Sequence, residues 1–173
     1  FGHFYSGKIK FLVNDLLMHI KPLAPVFLPI NKYGSQAKES SLQINNAYES
    51  DEQMLIFPAG LCSRLQHGKI KDLEWKKTFI AKAVQSQRDI IPIYFEGRNS
   101  TFFYRFAQIR KCIGLKFNIE LIYLPDEMFN SKNKTFDIYI GKPIPWQTFD
   151  KSKSLQEWAQ IVKEKVYQIK KNQ

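Results

Sequence analysis

Cysteine is scarce in this sequence: Cys62 and Cys112 are the two in 173 residues. That is too few for a disulfide framework, so a reducing cytoplasm is the default compartment. Long apolar runs are also missing. Residues 24–30 form one of the longest, and Pro25 and Pro29 break it, whereas a bilayer-spanning helix needs about 20 apolar residues in succession. No signal-peptide pattern opens the chain. Acidic residues are outnumbered, 16 Asp and Glu against 26 Lys and Arg, for a formal charge of +10. Such an excess favours an anionic partner: nucleic acid, anionic lipid headgroups or a phosphorylated substrate. No glycine-rich loop, zinc-type spacing or RNA-binding sheet motif supports the first. Membrane contact is then peripheral, or depends on residues upstream.

What is present suits one folded domain over residues 1–173. Hydrophobic residues make up 44% and charged residues 24%, which excludes a disordered or collagen-like chain. Strand-like stretches fall at 8–13, 26–30, 53–57, 89–95, 119–124 and 136–140, with 89–95 expected as a central strand. Helical patterns fall between them, at 16–20, 35–48, 72–85 and 102–113. In the third, Trp75, Phe79 and Ala83 recur every four residues and Asp72 reads as the N-cap. Ser154 and Glu157 form a capping box before the stripe Leu155, Trp158, Val162 and Val166. Strands alternating with helices imply an α/β fold with a mixed, mostly parallel central sheet flanked by helices.

The most informative stretch is Ile56-Phe57-Pro58-Ala59-Gly60-Leu61-Cys62-Ser63-Arg64. An apolar strand runs into a Pro-Ala-Gly turn, and a hydroxyl and a guanidinium follow. Ligand sites in α/β sheets gather at the carboxyl ends of strands, glycine lets a ligand approach the backbone, and arginine can grip an anion with two hydrogen bonds. An ordinary strand-to-loop turn with a solvated Arg64 accounts for the same residues equally well.

The block resembles the Phe-Pro-Glu-Gly-Thr-Arg-Ser segment of the glycerolipid acyltransferase superfamily. Ile90-Ile91-Pro92-Ile93 is similar to that superfamily's later proline-centred block, and Val26-Phe27-Leu28-Pro29-Ile30-Asn31-Lys32 to its apolar run ending in a basic residue. The nearest version is a bacterial subgroup, haemolysin-like or aminolipid acyltransferases, with which residues 72–77 and 99–104 also agree. The resemblance implies a glycerolipid acyltransferase-like fold. It implies transfer of a fatty acyl group from acyl carrier protein or coenzyme A to a lysolipid hydroxyl, with no resident cofactor or metal. Lys32, Phe57, Pro58, Gly60, Ser63 and Arg64 are then the expected substrate-binding residues, and the protein is expected peripherally on the inner face of the cell membrane.

Ala59, Leu61 and Cys62 depart from the pattern, where Glu, Thr and Arg are usual, which points to a different acceptor such as an amino-acid-headgroup lysolipid. The family's His-x-x-x-x-Asp base pair precedes all these blocks. Counting five on from His3 and His19 gives Lys8 and Ala24, so the pair is expected upstream of Phe1 and the chain alone is expected to be silent. His67 and Asp72 have the right separation, but lie after the block. Two other readings stand beside this one: a cysteine hydrolase or amidotransferase using Cys62, and a basic nucleic-acid-binding module. Phe102, Phe103, Tyr104, Arg105, Phe106, Arg110, Lys111, Lys116 and Phe117 mix rings and cations as an interfacial helix does, although the rings are better accounted for as core and only the cations serve a membrane in either case.

Overall fold

The structure, a computed structural model, describes residues 8–13, 17–18, 20–30, 36–115 and 117–170. Its organising sheet is parallel. Strand β1 (Ile9–Val13) lies between β2 (Phe27–Pro29) and β3 (Gln53–Leu55), pairing Phe11 with Phe27 on one side and with Leu55 on the other. Parallel pairs need crossovers. A 3₁₀ turn at Lys21–Val26 leads into β2, and helix α1 (Gln36–Glu49) links β2 to β3. Val13, Pro29 and Leu55 therefore end on one side of the sheet, where the chain enters residues 56–64. The β2 residues are half-buried. Helical residues at 16, 19 and 35 lie outside those described.

A hairpin follows, in a stretch where no strand is expected from the sequence. Strands β4 (Arg64–Gln66) and β5 (Lys69–Lys71) pair Leu65 with Ile70, and His67 and Gly68 turn between them with φ of 47° and 75°. Two left-handed residues in succession match the right-handed twist of the flanking strands. Helix α2 (Thr78–Gln85) then begins six residues later than expected, and Asp72 is not its cap. The apolar stripe is nevertheless real. Trp75 reaches the core from the segment before the helix and meets Phe79 edge-on at 5.9 Å. Both pack with Ile80, Ala159, Val162 and Val166 in one cluster.

The apolar run 89–95 is not a central strand. Pro92 has no N–H for a ladder. Strand β6 (Ile93–Glu96) starts after it and pairs antiparallel with β7 (Asp137–Ile140), apart from the parallel sheet. Residues 119–124 also depart from expectation. Helix α3 (Thr101–Cys112) is followed by a 3₁₀ turn at Ile119–Tyr123 and helix α4 (Leu124–Phe129). A strand would put Glu120 and Ile122 on one face, but Glu120 has no exposed surface and Ile122 is 72% exposed.

Helix α5 (Leu155–Ile169) begins as its sequence requires. Ser154 Oγ accepts the amide of Glu157 at 3.2 Å, and Glu157 accepts the amide of Ser154 at 2.8 Å. These bonds hold the Glu157 carboxyl below its usual range, the Ser154 hydroxyl contributing most. Ser154→Ala is expected to cost about 1 kcal/mol, read as a lowered urea midpoint with an unchanged slope. An unchanged midpoint would mean the box is not formed in solution.

Candidate active site

Residues 56–60 turn immediately past β3. The Gly60 amide donates to Phe57 O at 2.9 Å, and the Lys76 amide to Pro58 O at 3.0 Å. Gly60 has φ +68°, in the left-handed region that glycine alone enters without penalty. Ala59 is buried in the core while Phe57 is 61% exposed. The turn thus anchors one side chain inward and leaves its neighbour open.

Phe57, Pro58 and Gly60 line an apolar cavity of about 360 Å³ between α1 and the carboxyl edge of the sheet. Leu12, Ile44 and Phe79 supply apolar wall, while Lys76 and Lys82 bring charge. Lys82 Nζ donates to Asn45 Oδ1 at 2.6 Å and Gln85 Oε1 at 2.9 Å. No carboxylate lines the cavity among the described residues, so it presents a positive potential beside an oily wall.

Ser63 and Arg64 do not line that cavity. Ser63 Oγ donates to Asp72 Oδ1 at 2.6 Å, and Trp75 Nε1 donates to Asp72 Oδ2 at 3.0 Å. The Asp72 amide meets Tyr167 Oη at 3.2 Å, and Lys163 Nζ donates to Asp72 O and Leu73 O at 3.0 and 2.8 Å. Burial pushes the Tyr167 hydroxyl up to about 12. Asp72 is a tie between the turn and α5, and its carboxylate is spent on Ser63 and Trp75. His67 stands exposed at the hairpin tip. The sequence pair His67 and Asp72 is therefore not a catalytic dyad.

Arg64 faces inward. Its Nη2 donates to Glu120 Oε1 at 2.7 Å, and Nη1 donates to Cys62 O at 3.0 Å. Arg110 Nε lies 2.8 Å from Glu120 Oε2, off the line of a hydrogen bond, so charge more than direction holds that side. Arg110 Nη1 also donates to Leu115 O at 2.6 Å. The Arg64 guanidinium sits 5.9 Å from the Phe103 ring centre. Neither Glu120 nor Arg110 was singled out as a partner for Arg64 from sequence. The available signal was a lone acid inside the apolar run 119–124.

Cys62 lacks the setting of a nucleophile. Burial raises the thiol above its usual range, and nearby Arg64 offsets this only in part. Strand β4 begins at Arg64, two residues on, where a nucleophile elbow needs glycine. Lys32, His3 and His19 lie outside the described residues. No group of three His, Cys, Asp or Glu is placed to hold a metal among the residues described.

A parallel sheet whose carboxyl edge opens through a Phe-Pro-Ala-Gly turn onto an apolar, cationic cavity is an arrangement suited to an amphiphile with an anionic head. The acyltransferase family profile matches residues 1–173, and the chain belongs to that family. It is 56% identical over 168 residues to the lyso-glycine lipid O-acyltransferase of Bacteroides thetaiotaomicron, covering 97% of this chain and 62% of that protein. The protein of the same name from Phocaeicola vulgatus is 54% identical over 168 residues, covering 97% and 60%. The chain thus spans about three fifths of the length of these curated relatives. No solved structure matches it.

Two outcomes test this geometry. Glu120→Ala leaves two buried guanidinium groups without their carboxylate and is expected to cost about 3–5 kcal/mol. A loss below about 1 kcal/mol in urea titration would mean that solvent reaches the pair. Because the Cys62 thiol is raised, it holds less thiolate at any given pH than an ordinary thiol. Iodoacetamide mapped by mass spectrometry is expected to label exposed Cys112 first, with Cys62 labelling displaced to more alkaline pH. Preferential labelling of Cys62 at neutral pH would restore the nucleophile reading.

Proposed function

We propose that this chain is the acceptor-binding part of an O-acyltransferase that moves a fatty acyl group onto the hydroxyl of an amino-acid-headgroup lysolipid. The observation that carries this reading is the cavity beside Gly60, which joins apolar wall to uncompensated lysine charge. The activity for which the two relatives are named supports a lysolipid carrying glycine. The acyl donor is a thioester of acyl carrier protein or coenzyme A. The acceptor hydroxyl gives its proton to a general base and attacks the thioester carbonyl. The C–S bond then breaks and the proton passes to the leaving thiolate. In this reading the base is the His-x-x-x-x-Asp pair that the family resemblance implies.

In this reading Phe57, Pro58 and Gly60 form the cavity wall, and Lys32, outside the described residues, is a cationic contact for the acceptor by family resemblance alone. Ser63 and Arg64 hold the turn in place, through Asp72 and Glu120. A face built by α3, the 3₁₀ turn and α4 lies against an anionic membrane. These elements and the link between them expose Phe102, Phe117, Ile122 and Phe129, and α3 also exposes Arg105, the residue types that put rings at headgroup depth and a cation against anionic lipid. No helix among the described residues is long and apolar enough to cross a membrane.

The test is acyl transfer by the full-length natural protein. It is offered acyl carrier protein and coenzyme A thioesters with lyso-glycine lipid or lysophosphatidic acid, in vesicles with and without anionic lipid. Transfer to lyso-glycine lipid, faster on anionic vesicles, is expected, and Arg64→Ala is expected to lower it about 10²-fold by loosening the turn. No transfer to either lysolipid by folded protein would overturn the reading.

A further inference from the structure

We propose that Lys76 is the residue that receives the anionic headgroup of the acceptor, at the mouth of the cavity beside Gly60; this rests on the acceptor reading given above. Arginine is the residue the sequence block offers for that task, but Arg64 is already bonded to Glu120 and to the carbonyl of Cys62. The charge it offers is turned away from the cavity. Two described cations line the cavity, Lys76 and Lys82, and Lys82 spends two of its donors on Asn45 and Gln85. The Lys76 ammonium makes no hydrogen bond or ion pair with any described residue.

The backbone beneath Lys76 is by contrast held from several sides. Its amide donates to Pro58 O at 3.0 Å. The preceding carbonyl, Trp75 O, accepts from Gln156 Nε2 and Gln160 Nε2, each at 2.9 Å. The Trp75 ring is buried and its Nε1 is bonded to Asp72. A fixed base under an unpaired ammonium is what a binding cation needs, because little of the ligand's binding energy is spent on ordering the chain.

Gly60 completes the geometry. A Cβ built there would lie 3.1 Å from Lys76 Nζ, so the missing side chain is the space in which the ammonium sits over the turn. The left-handed φ of +68° is what favours glycine at this position, and a side chain there would press on the lysine tip. The ligand class follows from the wall: an apolar chain against Leu12, Ile44 and Phe79, and a carboxylate or phosphate at Lys76. Among headgroups of that class we commit to the carboxylate of the lysolipid acceptor. The phosphates of a donor are the competing source of the same chemistry.

Full-length natural protein, Lys76→Gln, Lys76→Arg and the neighbouring control Lys77→Gln would be compared in two assays. In acyl transfer, Lys76→Gln is expected to raise KM for lyso-glycine lipid about tenfold, the scale of one charge-assisted hydrogen bond. The donor KM should stay unchanged, Lys76→Arg should recover most of the loss, and Lys77→Gln should match wild type. In calorimetric binding, an N-acylglycine amphiphile and its uncharged amide are the probes. Wild type is expected to favour the acid about tenfold, and Lys76→Gln to lose that preference.

Transfer to lysolipids with the acid preference intact in Lys76→Gln would overturn the role of Lys76 and leave the acceptor reading standing. A rise in donor KM alone would assign Lys76 to the donor and overturn the proposal. The opposite split, no transfer to any lysolipid but an acid preference that depends on Lys76, would keep the anion site and remove the acceptor reading. Wild-type protein that binds acid and amide equally would overturn the site itself.

Discussion

A carboxylate with no exposed surface sets the arrangement around residues 56–64. Taking a carboxylate out of water costs several kcal/mol unless partners replace the water, and Glu120 has such partners. It is met by Arg64 from the start of β4 and by Arg110 from α3. The start of β4, 56 residues before Glu120, is thereby tied to α3 and the 3₁₀ turn that follows it. Two cations share one anion, so the cluster keeps a net positive charge that its surroundings must tolerate. The Phe103 ring beneath Arg64 helps, since a guanidinium is weakly hydrated and lies well on an aromatic face.

The second constraint comes from α5. Its capping box fixes where the helix begins, which sets the row Gln156, Gln160, Lys163 and Tyr167 along one side. Those four side chains reach backbone groups of Asp72, Leu73 and Trp75. Residues 72–77 have no helix or strand ladder of their own, so these bonds supply partners that secondary structure would otherwise give. The segment is rigid because a distant helix holds it. The turn at Pro58 is rigid in consequence, since Lys76 bonds Pro58 O. Glu120 from one side and α5 from the other clamp the block that borders the cavity.

The sequence made some of this legible and hid the rest for physical reasons. Period and capping placed α1, α3 and α5 close to their observed bounds, because those signals are local and lie within one element. The Trp75, Phe79 and Ala83 stripe correctly named core residues while misplacing the helix start. A stripe reports which side chains are buried, and Trp75 is buried from an irregular segment. The run 89–95 looked like a central strand because apolar content does not distinguish an interior strand from one interrupted by Pro92. The hairpin at His67-Gly68 was missed although a left-handed pair between alternating residues was available to be read. The family resemblance located the block at 56–64. It could not show which way Arg64 points, because that depends on Glu120, 56 residues away.

The orientation of Arg64 bears on how a motif arginine and a nearby lysine divide one task. A guanidinium is planar, weakly hydrated and able to bond along two edges, so it suits permanent burial against a carboxylate and two carbonyl groups. An ammonium is compact and strongly hydrated, and its cost of burial is high unless an anion arrives with it. A residue that must exchange ligands at each turnover is better made from the second kind, because its unliganded state is stable in water. Arg64 in the buried cluster and Lys76 at the open mouth follow that division. The block departs from the superfamily pattern at Ala59 and Leu61, where a carboxylate and a hydroxyl are usual. No carboxylate lines the cavity among the described residues, so neither Lys76 nor Lys82 faces a fixed anion there.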